Sequence, residues 1–338
     1  MNTPAQVAEN YLSTGKAKVS LPFGRMLALA ILAGIYIALA GVGASCAAVT
    51  VESASLAKLV SGCLFPAGLT MVLLAGSELF TGNCLLVMPL AQKTITPAQM
   101  LRSWVVVYLG NFIGAMAVAW VASASHTFTL FGDWFAISVV STAAAKCSLS
   151  FADGLLRGIL CNLLVCLAVW ISFAAKSVGG KIAGLYLPIL LFVLCGYEHC
   201  VANMYYIPAG IFALADPAYA EALAGLNASA VTWAGLASNL IPVTLGNILG
   251  GAGLGWKSTT TYTVLRRLCD RGLFQNEKSQ VTSLVSREEF RRQQSRSFVQ
   301  EAFGGSLPGF LTAFMGGRKL TQAQAEELRD LIDHYEEE

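Results

Sequence analysis

The sequence predicts an all-α membrane protein: six transmembrane helices in two inverted three-helix repeats, helices two and five broken, and a small cytoplasmic helical tail. Three observations carry this prediction. The 338 residues are 55% hydrophobic and only 12% charged, with a mean hydropathy of +0.61, which leaves too little polar surface to cover a soluble globule of that length. Long uncharged windows recur before Lys257. Two of them hold a lone glutamate inside matching motifs.

The windows Met26–Val51, Leu59–Ser77, Ser103–Gly132, Gly158–Ala175 and Ala222–Trp256 approach or exceed the roughly 18–20 apolar residues that cross a hydrocarbon core about 30 Å thick. The first twenty residues are mostly polar and the first apolar window is too long for an h-region, so no cleavable signal peptide is expected. The second and fifth segments are different. Between Lys58 and Lys93 the only charge is Glu78, and between Lys181 and Asp216 the only full charge is Glu198. A carboxylate near mid-membrane costs about 2.5–3.5 kcal/mol, so each glutamate should face protein or water and mark a helix interruption.

The surroundings repeat. "GSELFTGN" (76–83) and "GYEHCVAN" (196–203) both begin with Gly, hold Glu two residues later and end in Asn, and "GNFIG" (110–114) returns as "GNILG" (246–250). The order is span, broken span, GN-bearing span, twice over; an odd number of spans per half makes the repeat inverted. Lys16, Lys18, Arg25, Lys93, Arg102, Lys176, Lys181 and Lys257 with Arg266 and Arg267 then fall on one side of six alternating spans. Positive charge marks the cytoplasmic face, so both termini are expected in the cytoplasm, with the chain in the inner (plasma) membrane.

Charge density changes at Lys257. Residues 1–256 hold 10 basic and 8 acidic side chains, and the 82 residues after them hold 12 of each. The sequence therefore divides into a membrane domain, 1–256, and a tail, 257–338. Nine cysteines, an odd number without a CxxC pair, read as small packing residues, and no metal site or cofactor is expected. No nucleophile–base set or phosphate loop appears, so the chain is not expected to be an enzyme.

The motifs "RMLALAILAGIYIALAG", "GSELFTGN", "YLGNFIGA", "RGILCNLLVCLAVW", "GYEHCVANMYYIPAGI" and "NLIPVTLGNILGG", in this order, resemble the formate/nitrite transporter family across residues 15–256. The resemblance implies an aquaporin-like fold, a homopentamer and one pore through each protomer. It places the family's histidine on His199, beside the substrate path, where it exchanges a proton with the anion. It assigns one constriction, on the cytoplasmic side, to Phe65, Leu69 and Phe80, and the opposite one to Phe192. Leu79, Phe80 and Thr81 match the interrupted stretch of the second span, Lys146 the lysine before the fourth, and Asn203 and Asn247 the polar residues near the histidine. Lys146 also reads as a solvated loop charge, and the two asparagines as caps or bridges between helices.

The chemistry asked of these groups is plain. An anion in a hydrophobic constriction is an unpaired charge, whose desolvation is prohibitive; once neutralised it passes. A histidine with a reference pKa near 6.5 can offer the proton, and helix N-termini or Lys146 can concentrate the anion. Glu198 is expected to hydrogen-bond backbone at the break, or a neighbouring subunit. Formate leads as the substrate, with nitrite and hydrosulfide open.

From "KSTTTYTVLRRLCDRGLFQNE" (257–277) onward the tail resembles the carboxyl part of the penicillinase-repressor family, with a recognition helix, a wing and a helical dimerisation region. The leading helices of that family have no counterpart here. The tail is neutral overall, so nucleic-acid binding is not expected even with Arg266, Arg267 and Arg271 on one helix face. The competing reading from another class is a membrane-tethered DNA-binding regulator.

Overall fold

The computed structural model describes residues 1–277, 280–316 and 321–336, with the side chains of 256–267, 276–280, 331 and 335–336 outside the description. Lys257, Arg266 and Arg267 are among those outside it. The chain divides into two units, Met1–Val264 and Leu265–Glu338.

The first unit is helical. Helix α1 (Pro4–Val19) starts on a Thr3 capping box with Gln6, and α2 (Phe23–Ala48) follows. Helices α3 (Ala54–Leu64) and α4 (Pro66–Ala75) run on through Phe65. After a non-helical stretch come α5 (Phe80–Asn83), a 3₁₀ turn, α6 (Val87–Ala91) and α7 (Pro97–Ala124). The order then repeats with α8 (Trp134–Cys147), α9 (Phe151–Ala174), α10 (Val178–Leu194), α11 (Cys200–Ala215) and α12 (Trp233–Asp270). Among the described residues, four helices are long and apolar enough to cross a membrane: Phe23–Ala48, Ala54–Ala75, Pro97–Ala124 and Phe151–Ala174.

The glutamate motifs sit where helices stop. Gly76 (φ +77°) and Gly196 (φ +67°) take the left-handed conformation that ends α4 and α10, a conformation that costs a residue with a Cβ. In both places the next N–H reaches back five residues, Ser77 to the Val72 carbonyl and Tyr197 to the Phe192 carbonyl. The helix thus closes its last turn instead of continuing.

The GN motifs set how closely helices pack. A Cβ on Gly114 would meet the Ile31 carbonyl oxygen, and one on Gly250 the Ile159 carbonyl oxygen. Helix α2 therefore packs backbone to backbone on α7, and α12 on α9.

The structure departs from the sequence reading around residues 125–132, around residues 220–232 and around Lys146. Residues 220–232, at the start of the Ala222–Trp256 window, are turn and loop. The segment around Lys146, read as a loop, is the helix α8. It holds the place in the second half that α1 holds in the first, because each carries a lysine that reaches the glutamate of its own half. All nine cysteines are free.

The second unit contains a two-stranded antiparallel hairpin, β1 (Phe274–Glu277) and β2 (Gln280–Ser283), and the helices α13 (Arg287–Phe303), α14 (Leu307–Met315) and α15 (Gln322–Glu336). Helix α12 runs unbroken from Trp233 through Lys257 to Asp270.

Candidate functional site

The two helix breaks carry one hydrogen-bond network each. Lys18 Nζ contacts both carboxylate oxygens of Glu78 at 2.9 Å, and Lys146 Nζ those of Glu198 at 3.0 Å. Asn83 Nδ2 donates to Glu78 Oε2 at 2.8 Å, and Asn203 Nδ2 to Glu198 Oε2 at 2.6 Å. The Glu78 N–H donates to the Leu29 carbonyl, the Glu198 N–H to the Arg157 carbonyl. Both glutamates are buried. A buried carboxylate persists where it is paired and its remaining lone pairs are occupied.

The asparagines of the GN motifs finish the scaffold. Asn111 accepts from the Phe80 N–H and donates to the carbonyls of Ala30 and Glu78. Asn247 accepts from the Cys200 N–H and donates to the carbonyls of Gly158 and Glu198. Each asparagine thereby serves an N–H and a carbonyl that the missing helical turn leaves without partners, and ties them to a carbonyl of the neighbouring helix.

Where the two halves meet, they differ. Leu79 precedes α5 and His199 precedes α11; Thr81 lies inside α5 and Val201 inside α11. Thr81 Oγ1 and His199 Nε2 are 3.0 Å apart, both residues buried. His199 caps α11, its Nδ1 accepting the Ala202 N–H at 3.1 Å. A ring nitrogen that accepts carries no proton, so the neutral ring bears its hydrogen on Nε2 and donates it to Thr81 Oγ1. Asn162 Nδ2, at 3.2 Å, holds the Thr81 carbonyl from α9.

Two cavities flank this pair. One, of about 670 Å³, is lined by Tyr11, Lys18, Leu69, Val72, Leu79 and Lys181 among others. The other, of about 480 Å³, is lined by Phe65, Lys146, Phe192, Glu198, His199 and Asn203 among others. Phe65 and Leu69 are one turn of helix apart, about 6 Å, and open on different cavities. The side chains between the cavities thus include the apolar Phe65 and Leu69 beside the Thr81–His199 pair.

The expected sites fall out as follows. Phe65 is grouped with Phe192 and not with Leu69 and Phe80: its ring meets Phe192 edge-on at 5.6 Å, and Phe192 stacks on His199 at 5.8 Å. The reason is that Phe65 lies one turn before Leu69 and faces the other cavity. Phe80 packs on Trp104 and Tyr108 and borders neither cavity. Leu79 and Leu69 line the first cavity. Glu198 spends its side chain on Lys146 and Asn203 and leaves the break's backbone to Asn247. Lys146 is neither a free loop charge nor an unpaired cation. Asn203 bonds Glu198 and Asn239, so both it and Asn247 bridge structure at the site.

Sequence reasoning missed Lys18, Asn111 and Asn162. The "GNFIG" echo of "GNILG" was the available signal for Asn111, and the spacing of Lys18 from Glu78 against that of Lys146 from Glu198 gave little signal for Lys18.

Comparison with known proteins agrees with this architecture. Residues 5–258 match the family model described as "Formate/nitrite transporter", and residues 242–334 the one described as "Penicillinase repressor". The chain is similar to the "Probable formate transporter" of Methanothermobacter thermautotrophicus, 40% identical over 74% of this chain and 93% of that protein. It is similar to the "Formate channel FocA" of Escherichia coli (strain K12), 36% identical over 73% of this chain and 90% of that one. A solved "Pentameric formate channel with formate bound" superposes with a TM-score of 0.65 at 32% identity, covering 72% of this chain and 98% of that one. The chain, a multi-pass membrane protein, belongs to the formate/nitrite transporter family.

Proposed function

We propose that the chain is a channel for small monovalent anions, formate first, with nitrite and hydrosulfide as the alternatives. The membrane unit, residues 1–256, forms six spans: α2, the broken α3–α6, α7, α9, the broken α10–α11, and α12. The halves are inverted, both termini are cytoplasmic in the inner membrane, and five copies assemble as a homopentamer with a passage through each. The solved pentameric formate channel, matched over 98% of its length, supports this assembly.

The observation that carries the reading is the Thr81–His199 pair, buried between two cavities. An ion entering the apolar wall there loses its hydration without a counter-charge, at a cost of tens of kcal/mol in an apolar medium. An imidazolium at His199 forms only by giving up the Ala202 N–H bond, so the charged ring is transient and answers an approaching anion. The ring takes up one proton from bulk solvent through the cavity it lines and donates one to a formate oxygen, leaving a neutral ring and formic acid, and the acid crosses the wall formed by Phe65, Leu69, Leu79 and Phe192. Phe80 supports that wall from behind, against Trp104. Lys146, Asn203 and Asn247 hold the ring's backbone in place.

Uptake of formate, nitrite and hydrosulfide into proteoliposomes at two pH values tests the reading. His199→Asn lowers formate flux about a hundredfold and flattens its pH dependence; unchanged flux overturns the proton-exchange step. The tail, residues 257–338, is a cytoplasmic interaction appendage. Sequence-specific gel shifts by the full-length protein would revive the DNA-binding regulator.

A further inference from the structure

The internal repeat shows where one half has acquired a charge that the scaffold does not require. Leu29 and Arg157 do the same backbone work, each carbonyl accepting the N–H of its half's glutamate, at 3.2 and 3.3 Å. Each also lines the cavity of its half. On one side the side chain is apolar, on the other a guanidinium.

The charge balance of the second cavity makes this difference matter. Lys58, Lys146, Arg157 and Glu198 all line it. Lys146 is neutralised by Glu198, whereas Lys58 and Arg157 have no ion-pair partner among the described residues. Two positive charges are left over in about 480 Å³. The first cavity has Lys18 neutralised by Glu78 and only Lys181 in excess. Like-signed charges on low-dielectric walls raise the local concentration of counter-ions, and a guanidinium suits a carboxylate or a planar oxoanion with two parallel N–H bonds.

A second feature lies deeper in the same cavity. Lys58 and Arg157 are exposed, whereas Glu198, His199 and Asn203 are buried. Both Asn203 Nδ2 hydrogens are committed, to Glu198 and Asn239, and its Oδ1 is buried with no partner. That oxygen accepts only from a donor, which a carboxylate lacks and a protonated acid or a water has. The cavity is thus graded, with its unpaired cations exposed and the ring buried.

We propose that Lys58 and Arg157 form an anion-docking subsite at the mouth of the His199 cavity, where a small carboxylate or planar oxoanion waits before it is protonated. The proposal rests on the channel reading, and its test separates the two. Line broadening of carbon-13 formate by the detergent-solubilised protein reports binding, and proteoliposome uptake reports transport. In Lys58→Gln and Arg157→Gln, the half-saturating formate concentration rises about three- to tenfold in both measurements, while Arg157→Lys, which keeps the charge but loses the paired donors, falls between Arg157→Gln and wild type. The double variant also loses the ionic-strength dependence of broadening.

Broadening that depends on both cations in a protein without uptake keeps the subsite and sinks the channel. Uptake and broadening that are indifferent to both substitutions sink the subsite and keep the channel. An unfolded variant is excluded by an unchanged melting profile in the same detergent, and Arg157→Lys supplies the comparison if Arg157→Gln fails to fold.

Discussion

The half of the membrane unit centred on Glu78 and the half centred on Glu198 solve one folding problem with one set of bonds. Each buries a carboxylate against a lysine from a preceding helix, Lys18 or Lys146, and an asparagine one turn on, Asn83 or Asn203. Each returns the stranded backbone groups to an asparagine of a GN motif, Asn111 or Asn247. They part company around the middle, where Leu79 and Thr81 of one align with His199 and Val201 of the other, at the second asparagine, where Lys18 reaches Asn83 Oδ1 but no described residue reaches Asn203 Oδ1, and at the cavities, where Leu29 answers Arg157. The shared bonds are architecture. The departures are where chemistry can be placed without endangering the fold.

The largest expected effect breaks the shared part. Glu78→Leu and Glu198→Leu each strand a partly buried lysine, Lys18 or Lys146, and each should cost about 2–4 kcal/mol, read as a loss of folded protein or a large drop in melting temperature in detergent. Lys18→Met with Glu78→Leu should recover most of that loss. If the two halves responded very differently, the equivalence drawn here would fail.

Next come the GN asparagines. Asn111→Leu and Asn247→Leu each strand two backbone groups of a helix break, the Phe80 N–H and Glu78 carbonyl or the Cys200 N–H and Glu198 carbonyl, and should cost about 1–3 kcal/mol by the same melting measurement. A neutral outcome at either would mean that water replaces the amide there.

Thr81→Val sharpens the difference between halves, since it gives the first half the residue that the second has at that position. It removes the hydroxyl that Nε2 meets and should lower formate uptake about tenfold with the melting temperature nearly unchanged. Full uptake would mean that the ring needs no partner from the other half.

The smallest effect belongs to the turns. Gly76→Ala and Gly196→Ala place a Cβ in the left-handed region and should each cost about 1 kcal/mol, a shift of a few degrees. Equal shifts would support equivalent turns, and a shift at one alone would not.

Much of this was legible in the residues because the cost of a carboxylate in an apolar stretch is large and local. Glu78 and Glu198 announce themselves, and the glycines before them and the asparagines after them repeat at fixed distance. What was not legible depends on partners far along the chain. Lys18 sits in a mostly polar segment and counts there only as a cytoplasmic-side charge, yet its ammonium closes a partly buried pair across 60 residues. Helix α8 is too short to register as a span and ends in the lysine that suggested a loop. Phe65 could not be told from Leu69 by pattern, because a single turn of helix decides which cavity each one faces.

The Ala202 amide that occupies one nitrogen of the imidazole has a kinetic consequence. A narrows without a standing cation offers a passing carboxylate no deep well, so departure should not limit turnover. In the proposed proton exchange, throughput would then be set by how often the ring is charged on demand, and a resting membrane would leak little because that event needs a visitor to provoke it.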